Sequence, residues 1–342
     1  MKTILITGGA GFIGSNFILK ALQDGLKVVN LDKLTYSGNL DNLCSISLSS
    51  PYVFVKGDIG NNELVEYLLD KYDPDCIVNF AAESHVDRSI ASPRIFFETN
   101  VLGTEQLLET TKRWLDSNKN KSSFKFIHIS TDEVYGSLEL EDPSFTEESQ
   151  YLPNSPYSSS KASSDLLARS FFETFGFPAI ITNCSNNYGP RQYPEKLIPL
   201  VISNCLQNKE IPIYGTGTNI RDWLYVDDHC EAILEVIRHG QVGEKYNIGG
   251  GSEKTNKEVV AEVCSVLDEL HPSKYVKHYS ELQEYVTDRP GHDKRYAIDF
   301  TKINQLCGWV PKVDFSTGIR KTVKWYLNNL DWLNRQEERR RK

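Results

Sequence analysis

Apolar residues along this chain fall into two alternating rhythms. Short β-branched runs at Thr3–Thr7, 27–31, 52–55, 76–80, 127–129 and 178–182 read as buried strands. Between them lie stretches of helical period, such as Phe12, Ile13, Phe17, Ile18, Ala21 and Leu22. Strand and helix in repeated alternation predict an α/β fold, a Rossmann-type doubly wound parallel sheet. One helix is expected over 94–114, interrupted only by Gly103. Another opens at Pro156 and carries the stripe Ala162, Leu166, Leu167, Phe171, Phe175. That stripe is more apolar than one sheet face requires, so a second copy of the chain is expected against it, as a homodimer.

The rhythm changes after 182. Asn186-Asn187-Tyr188-Gly189-Pro190-Arg191 is turn chemistry. A first domain is therefore placed at 1–185, with about 222–246 returning to it through a helix over 228–238. A smaller C-terminal substrate-binding α/β domain occupies 186–342, with helices at 197–206 and 256–270 and a strand at 211–214. The basic end 335–342, which also holds Glu337 and Glu338, reads as a solvated tail.

Composition narrows the function. At 342 residues, 39% hydrophobic and 25% charged, with no apolar run of bilayer length, the chain reads as globular and non-membrane. The start runs directly from a short strand into a glycine turn, unlike a signal peptide. A formal charge of -8 disfavours nucleic acid as a partner. Seven scattered cysteines without a C-x-x-C pair point away from disulfides and zinc and toward a cytoplasmic location. The histidines form no ligand-spaced cluster, so no metal is expected.

Candidate chemistry begins with the turn Gly8, Gly9, Ala10, Gly11 between the first strand and the helix starting at Phe12, Ile13 and Gly14. Such a turn lets backbone approach a pyrophosphate, which the helix N-terminus stabilises. Asp32, ending the second strand, can accept both ribose hydroxyls and would repel a 2′-phosphate, so NAD is favoured over NADP. Asp58 can meet the adenine amino group or cap a helix. Ala81 and Ala82 are small enough for a cofactor to lie close. Asn100 is either a buried satisfied amide or an amide bonding sheet backbone near the nicotinamide; His85 carries little weight as an acid or base.

The strand ending at Ser130-Thr131 delivers Asp132 and Glu133 to the carboxyl edge of the sheet, where ligands bind. Tyr157 and Lys161, four apart on a helix, share one face. A phenol beside an ammonium and a bound nicotinamide makes a base for an alcohol, with both charges lowering its pKa. Simple alcohol oxidation does not need Asp132 and Glu133. Two adjacent carboxylates can split into a protonated acid and an ionised base, which suits loss of water after oxidation. Taken alone, the pair could equally be a helix cap or a solvated acidic loop.

Together these residues resemble the extended short-chain dehydrogenase/reductase superfamily, and within it the nucleotide-sugar 4,6-dehydratases. The motifs are 34–39 (LTYSGN), 81–89 (AAESHVDRS), 130–136 (STDEVYG), 154–162 (NSPYSSSKA), 186–190, 194–200 (PEKLIPL), 221–223 and 288–293. The related 4-epimerases generally carry small hydroxyl residues where Asp132 and Glu133 stand. The resemblance implies that Tyr157 is the base at the sugar 4-hydroxyl with Thr131 and Lys161 assisting, that Asp132 protonates the departing 6-hydroxyl, and that Glu133 takes the 5-proton. It adds Lys33, Thr35, Ile59 and Ser84 to the cofactor-binding residues. It implies Ser84, Thr131, Asn187, Lys196, Leu197, Arg221, Asn247, Arg289 and His292 around a nucleotide-sugar substrate, dTDP-glucose before UDP-glucose. Asn183, Arg191 and Thr216 depart from the pattern, where arginine, an aromatic residue and aspartate are usual.

Overall fold

The computed structural model describes residues 2–118, 121–288 and 290–340. Its strands are β1 (Thr3–Thr7), β2 (Lys27–Asp32), β3 (Tyr52–Lys56), β4 (Cys76–Asn79), β5 (Lys125–Thr131), β6 (Ala179–Cys184), β7 (Asn186–Tyr188), β8 (Ile211–Tyr214), β9 (Ile220–Tyr225), β10 (Lys245–Ile248), β11 (Glu253–Thr255) and β12 (Gln283–Val286). Seven form one sheet in the order β10-β6-β5-β4-β1-β2-β3, every pair parallel. The chain winds outward from β1 through β2 to β3, then restarts beside β1 at β4. That reversal opens a crevice at the carboxyl ends of β1 and β4.

Both faces of the sheet are covered, which is why its inner strands are buried at nearly every position rather than alternately. One face buries Phe17, Ile18, Cys230, Ile233 and Ile303 from helices Phe12–Gln23, Val226–His239 and Thr301–Cys307. The other buries Val65, Leu68, Leu107, Trp114, Ala168 and Phe171 from Asn62–Tyr72, Thr104–Ser117 and Pro156–Phe175. A further core gathers Ile198, Val201, Val263, Leu267, Ile319, Tyr326 and Trp332 around small sheets β11-β9-β7 and β12-β8.

The helix expected over 94–114 runs without a break from Pro93 to Ser117, its middle, Phe97–Gly103, widened to a π-helix. Asn100 makes its tertiary bonds from that widened stretch. One local expectation is corrected. The end of the chain is not a solvated tail: a helix Leu330–Arg340 docks there, burying Trp332, Leu333, Gln336 and Glu337. Strand β10 pairs with β6 and forms one edge of the main sheet. Among the described residues no helix is long and apolar enough to cross a membrane.

Candidate active site

The crevice at the strand ends is a cleft of about 640 Å³. One end is built by the glycine turn. Gly8 has φ +68°, and a Cβ there would lie 2.6 Å from the Ala81 nitrogen, so no side chain fits. The helix that follows has Gly11 at its N-cap, with no side-chain cap and no acidic residue in its first turn. Its first N–H groups are left for an anionic group, and Gly11, Phe12, Ile13 and Gly14 line the cleft. Asp32 accepts from the Ala10 nitrogen at 2.8 Å and the Leu34 nitrogen at 2.7 Å. Burial raises its pKa and these bonds oppose the rise; its remaining lone pairs are available to hydroxyl donors. Lys33 meets Asp58 at 2.6 Å; burial works against that carboxylate, but the Lys33 bond draws its pKa below the ordinary value. Lys33, Thr35, Asp58, Ile59, Ala81, Ala82 and Ser84 all line this end. An uncapped helix start, a turn without side chains and a fixed ribose-side carboxylate fit NAD.

Asn100 does not line the cleft but fixes its wall. It accepts from the Glu83 nitrogen at 2.8 Å and donates to the Glu83 carbonyl at 2.9 Å and the Ser160 hydroxyl at 2.8 Å. Both readings of this amide therefore meet in one residue: it is buried and satisfied, and the backbone it bonds is the cofactor-side loop.

At the centre, β5 ends at Thr131 and gives way to a 3-10 turn, Asp132–Tyr135. The Thr131 hydroxyl accepts from the Glu133 nitrogen at 3.3 Å and donates to Asp132 Oδ1 at 3.2 Å. Asp132 is 1% exposed, yet its Oδ2 has no hydrogen-bond partner and the residue lines the cleft. Burial first, then the charges of Glu133 and Asp222, hold its carboxyl well above the usual range, which favours its protonated form. The sign for stability follows. A folded-state pKa above the unfolded one imposes no penalty below the ordinary carboxylate range, and a growing one as pH rises toward the folded pKa. Asp132→Asn is therefore expected to raise the melting temperature, by about 3 °C at pH 8 and by much less at pH 5. Thermal melts across that range check it.

Ser155 opens the next helix with a capping box to Ser158, and Pro156 takes its first turn. Tyr157 and Lys161 then face the cleft beside Thr131. In the chain alone the phenol is not lowered as the sequence led us to expect. Burial and the Glu133 charge raise it, against a hydrogen bond from Thr131. The Lys161 ammonium instead donates to the Ile129 carbonyl at 2.8 Å, with His128 Nε2 at 3.5 Å. Burial draws the ammonium's pKa down, and Asp165 opposes that.

Behind these groups is a buried polar cluster. Asp165, 1% exposed, accepts from the Ser130 hydroxyl at 2.7 Å, the Tyr151 hydroxyl at 3.1 Å and the Asn183 amide at 3.2 Å, with His128 Nε2 3.3 Å away. Asn183 also donates to the Thr131 carbonyl at 3.1 Å.

On the substrate side, Ser84, Asn187 and Lys196 line the cleft. Asn187 meets His229 Nδ1 at 2.8 Å, and Lys196 donates to the Ser84 carbonyl at 2.8 Å. Arg221 lies just behind, 5% exposed, donating to the Ile220 and Asp293 carbonyls with its guanidinium 4.2 Å from the Tyr296 ring centre. His292 meets Asp288 at 2.6 Å, and Leu197 packs into the smaller core; neither lines the cleft. Asn247 is corrected: fully buried in β10, it accepts from the Tyr135 hydroxyl at 2.9 Å and donates to the Phe145 carbonyl at 3.2 Å. Its amide is consumed by Tyr135 and Phe145, and it does not line the cleft. Arg289 lies outside the described residues.

Sequence reasoning passed over the rim. Tyr36 donates to Glu195 at 2.8 Å, stacks under Arg88 at 3.5 Å and meets Tyr193 edge-on. All four line the cleft. The signal was present, since Tyr36, Arg88 and Glu195 stand inside quoted motifs.

The family described as GDP-mannose 4,6 dehydratase matches residues 5–322. A dTDP-glucose 4,6-dehydratase from Xanthomonas campestris pv. campestris is 53% identical over 335 residues, covering 97% of this chain and 95% of the relative. Among solved structures, the Bacillus anthracis dTDP-glucose 4,6-dehydratase in complex with NAD superposes with TM-score 0.87 at 49% identity, covering 98% of this chain and all of that one. A Streptomyces venezuelae dTDP-glucose 4,6-dehydratase with NAD and TYD bound gives 0.88 at 44%, covering 98% and 99%.

Proposed function

The chain belongs to the family described as GDP-mannose 4,6 dehydratase, and from that premise we propose that it is a dTDP-glucose 4,6-dehydratase, an NAD-dependent hydro-lyase. It converts dTDP-glucose to dTDP-4-keto-6-deoxyglucose and water, the first committed chemistry of a deoxysugar. The observation that carries the reading is Asp132: a buried carboxyl, its pKa raised by burial, with an unpartnered oxygen in the cleft, next to Glu133 and Tyr157.

NAD bound by these residues would supply a hydride acceptor for sugar C4 and the hydride returned to C6. The chain's own groups move the protons. Tyr157, in contact with Thr131, removes the proton from the C4 hydroxyl. The Lys161 ammonium, fixed on the Ile129 carbonyl, supplies positive charge to that corner. The new C4 carbonyl acidifies C5, and Glu133 takes the C5 proton and gives a proton back to C5 when hydride reaches C6. Asp132 gives its proton to the C6 hydroxyl, which leaves as water. One water is lost and the cofactor ends each turnover as it began, so it can remain bound. Gly8, Gly11, Phe12, Ile13, Gly14, Asp32 and Asp58 hold it, with Ala81 and Ala82 allowing close approach. Asn187, Lys196 and Ser84 receive the nucleotide sugar, and Arg221, just behind them, supplies positive charge toward its diphosphate. Arginine suits that task because its fork matches phosphate oxygens.

A homodimer suits the exposed apolar residues Leu166 and Phe175 of helix Pro156–Phe175. A cytoplasmic setting suits seven unpaired cysteines.

Mass spectrometry of products from dTDP-, UDP-, GDP- and CDP-glucose, with no NAD added, tests the reading. Loss of one water from dTDP-glucose is expected. An unchanged mass with dTDP- or UDP-galactose among the products would establish a 4-epimerase instead.

A further inference from the structure

We propose that Arg191 is a positioning residue that fastens the cofactor end of the cleft to its substrate wall, and that the C-terminal helix Leu330–Arg340 completes the fastening. The inference rests on the NAD-dependent reading above and deepens it, by naming what sets cofactor retention.

The fastening starts at the glycine turn. The Ala10 carbonyl at its centre is held by two donors, the Asn39 nitrogen and Asn42 Nδ2, each at 3.0 Å. Asn42 is itself gripped from two sides. Its carbonyl accepts from Arg191 Nε at 3.1 Å, and its Oδ1 accepts from Trp332 Nε1 at 2.9 Å. Arg191 also donates from Nη1 to Asn16 Oδ1 at 3.0 Å. Asn16 lies on the helix that begins at the glycine turn, and its amide donates to the Phe12 carbonyl at 2.9 Å and the Pro190 carbonyl at 3.0 Å. One guanidinium therefore braces both the turn and the helix start that receive a pyrophosphate.

The same residue reaches the opposite wall through its backbone. Arg191 sits at φ +71°, a conformation that residues with a Cβ rarely adopt, so its surroundings must impose it. Its neighbour Gln192 receives the Tyr326 hydroxyl at 2.6 Å and donates to the Asn187 carbonyl at 2.9 Å. Asn187 and Gln192 line the cleft. The guanidinium lies 5.5 Å from the Trp325 ring centre, and Trp325 packs on Trp332 at 5.0 Å. Arg191 and Trp332 thus converge on Asn42 from separate elements of the chain.

This arrangement makes the two halves of the cleft report on each other. A nucleotide that orders Asn187 and Gln192 favours the backbone from which Arg191 reaches Asn42 and Asn16, and so favours the turn that holds NAD. By linkage the effect runs equally in reverse. A plain structural arginine would alter stability without altering that exchange.

The test measures NAD affinity by equilibrium dialysis, with and without saturating dTDP, alongside melting temperature and kcat at saturating NAD. Arg191→Met keeps the stem and removes the donors. We expect its NAD Kd to rise about tenfold, the response to dTDP to shrink toward none, and kcat to stay within about twofold. Trp332→Phe keeps a ring and loses only the N–H to Asn42; about a threefold rise is expected, and it stands in if Arg191→Met does not fold. Ser203→Ala removes one bond to Glu337, away from Asn42, while leaving Trp332 in place, and is expected to lower melting temperature with NAD Kd unchanged. Wild-type NAD Kd and wild-type response to dTDP in the folded Arg191 and Trp332 variants would overturn the proposal, as would an equal loss in Ser203→Ala. Wild-type protein that binds no NAD would instead remove the dehydratase reading on which it rests.

Discussion

Asp132→Asn is expected to lose turnover by about 10²–10⁴-fold while still exchanging the C5 proton of its substrate with solvent. The asparagine keeps the shape of the 3-10 turn and the bond from Thr131 but has no proton to give to the leaving C6 hydroxyl. Tyr157 and Glu133 are untouched, so oxidation at C4 and removal of the C5 proton continue and reverse. Glu133→Gln should lose turnover to a similar degree and lose the exchange as well. Deuterium incorporation into recovered dTDP-glucose, followed by mass spectrometry in heavy water, separates the two variants. Equal loss of exchange in both would mean that the pair acts as one unit and that acid and base cannot be assigned singly.

Asp165→Ala is expected to cost about 3–5 kcal/mol of stability, the largest loss of any single substitution behind the cleft. The carboxylate is the common acceptor for Ser130, Tyr151 and Asn183, and removing it strands these donors where water does not reach. Asp165→Asn should lose less, because its carbonyl can still accept. Urea unfolding of the cofactor-free proteins measures both. A midpoint for Asp165→Ala close to that of the wild type would show that those bonds contribute little. Activity should fall too, since Asn183 carries the cluster to the Thr131 carbonyl.

What was legible in the sequence had local causes. The glycine turn, Asp32 and the Asp132–Glu133 pair each sit where one strand ends, and strand ends can be read from a run of β-branched residues. The cap before Tyr157 is written in Ser155-Pro156. What was not legible had distant causes. The π-helical stretch at 97–103 has Asn100 meeting Glu83 and Ser160, and no periodicity records that. The C-terminal helix shows only four buried residues, two of them Gln336 and Glu337, so its charges hid an inward face. Asn247 was carried toward the site by resemblance alone; Tyr135 and Phe145 consume its amide.

The route of the chain through the molecule also governs when the enzyme can come into being. The glycine turn precedes its brace by most of the chain: Asn42 meets Trp332 across 290 residues, and the sheet lacks its edge until β10 has emerged. Contacts so far apart in sequence are slow to form and cannot form during most of elongation. A nascent chain on the ribosome can thus display a nearly finished nucleotide fold that is still braced on one side only. The glycine turn is thus translated well before the contacts that close the cleft around it.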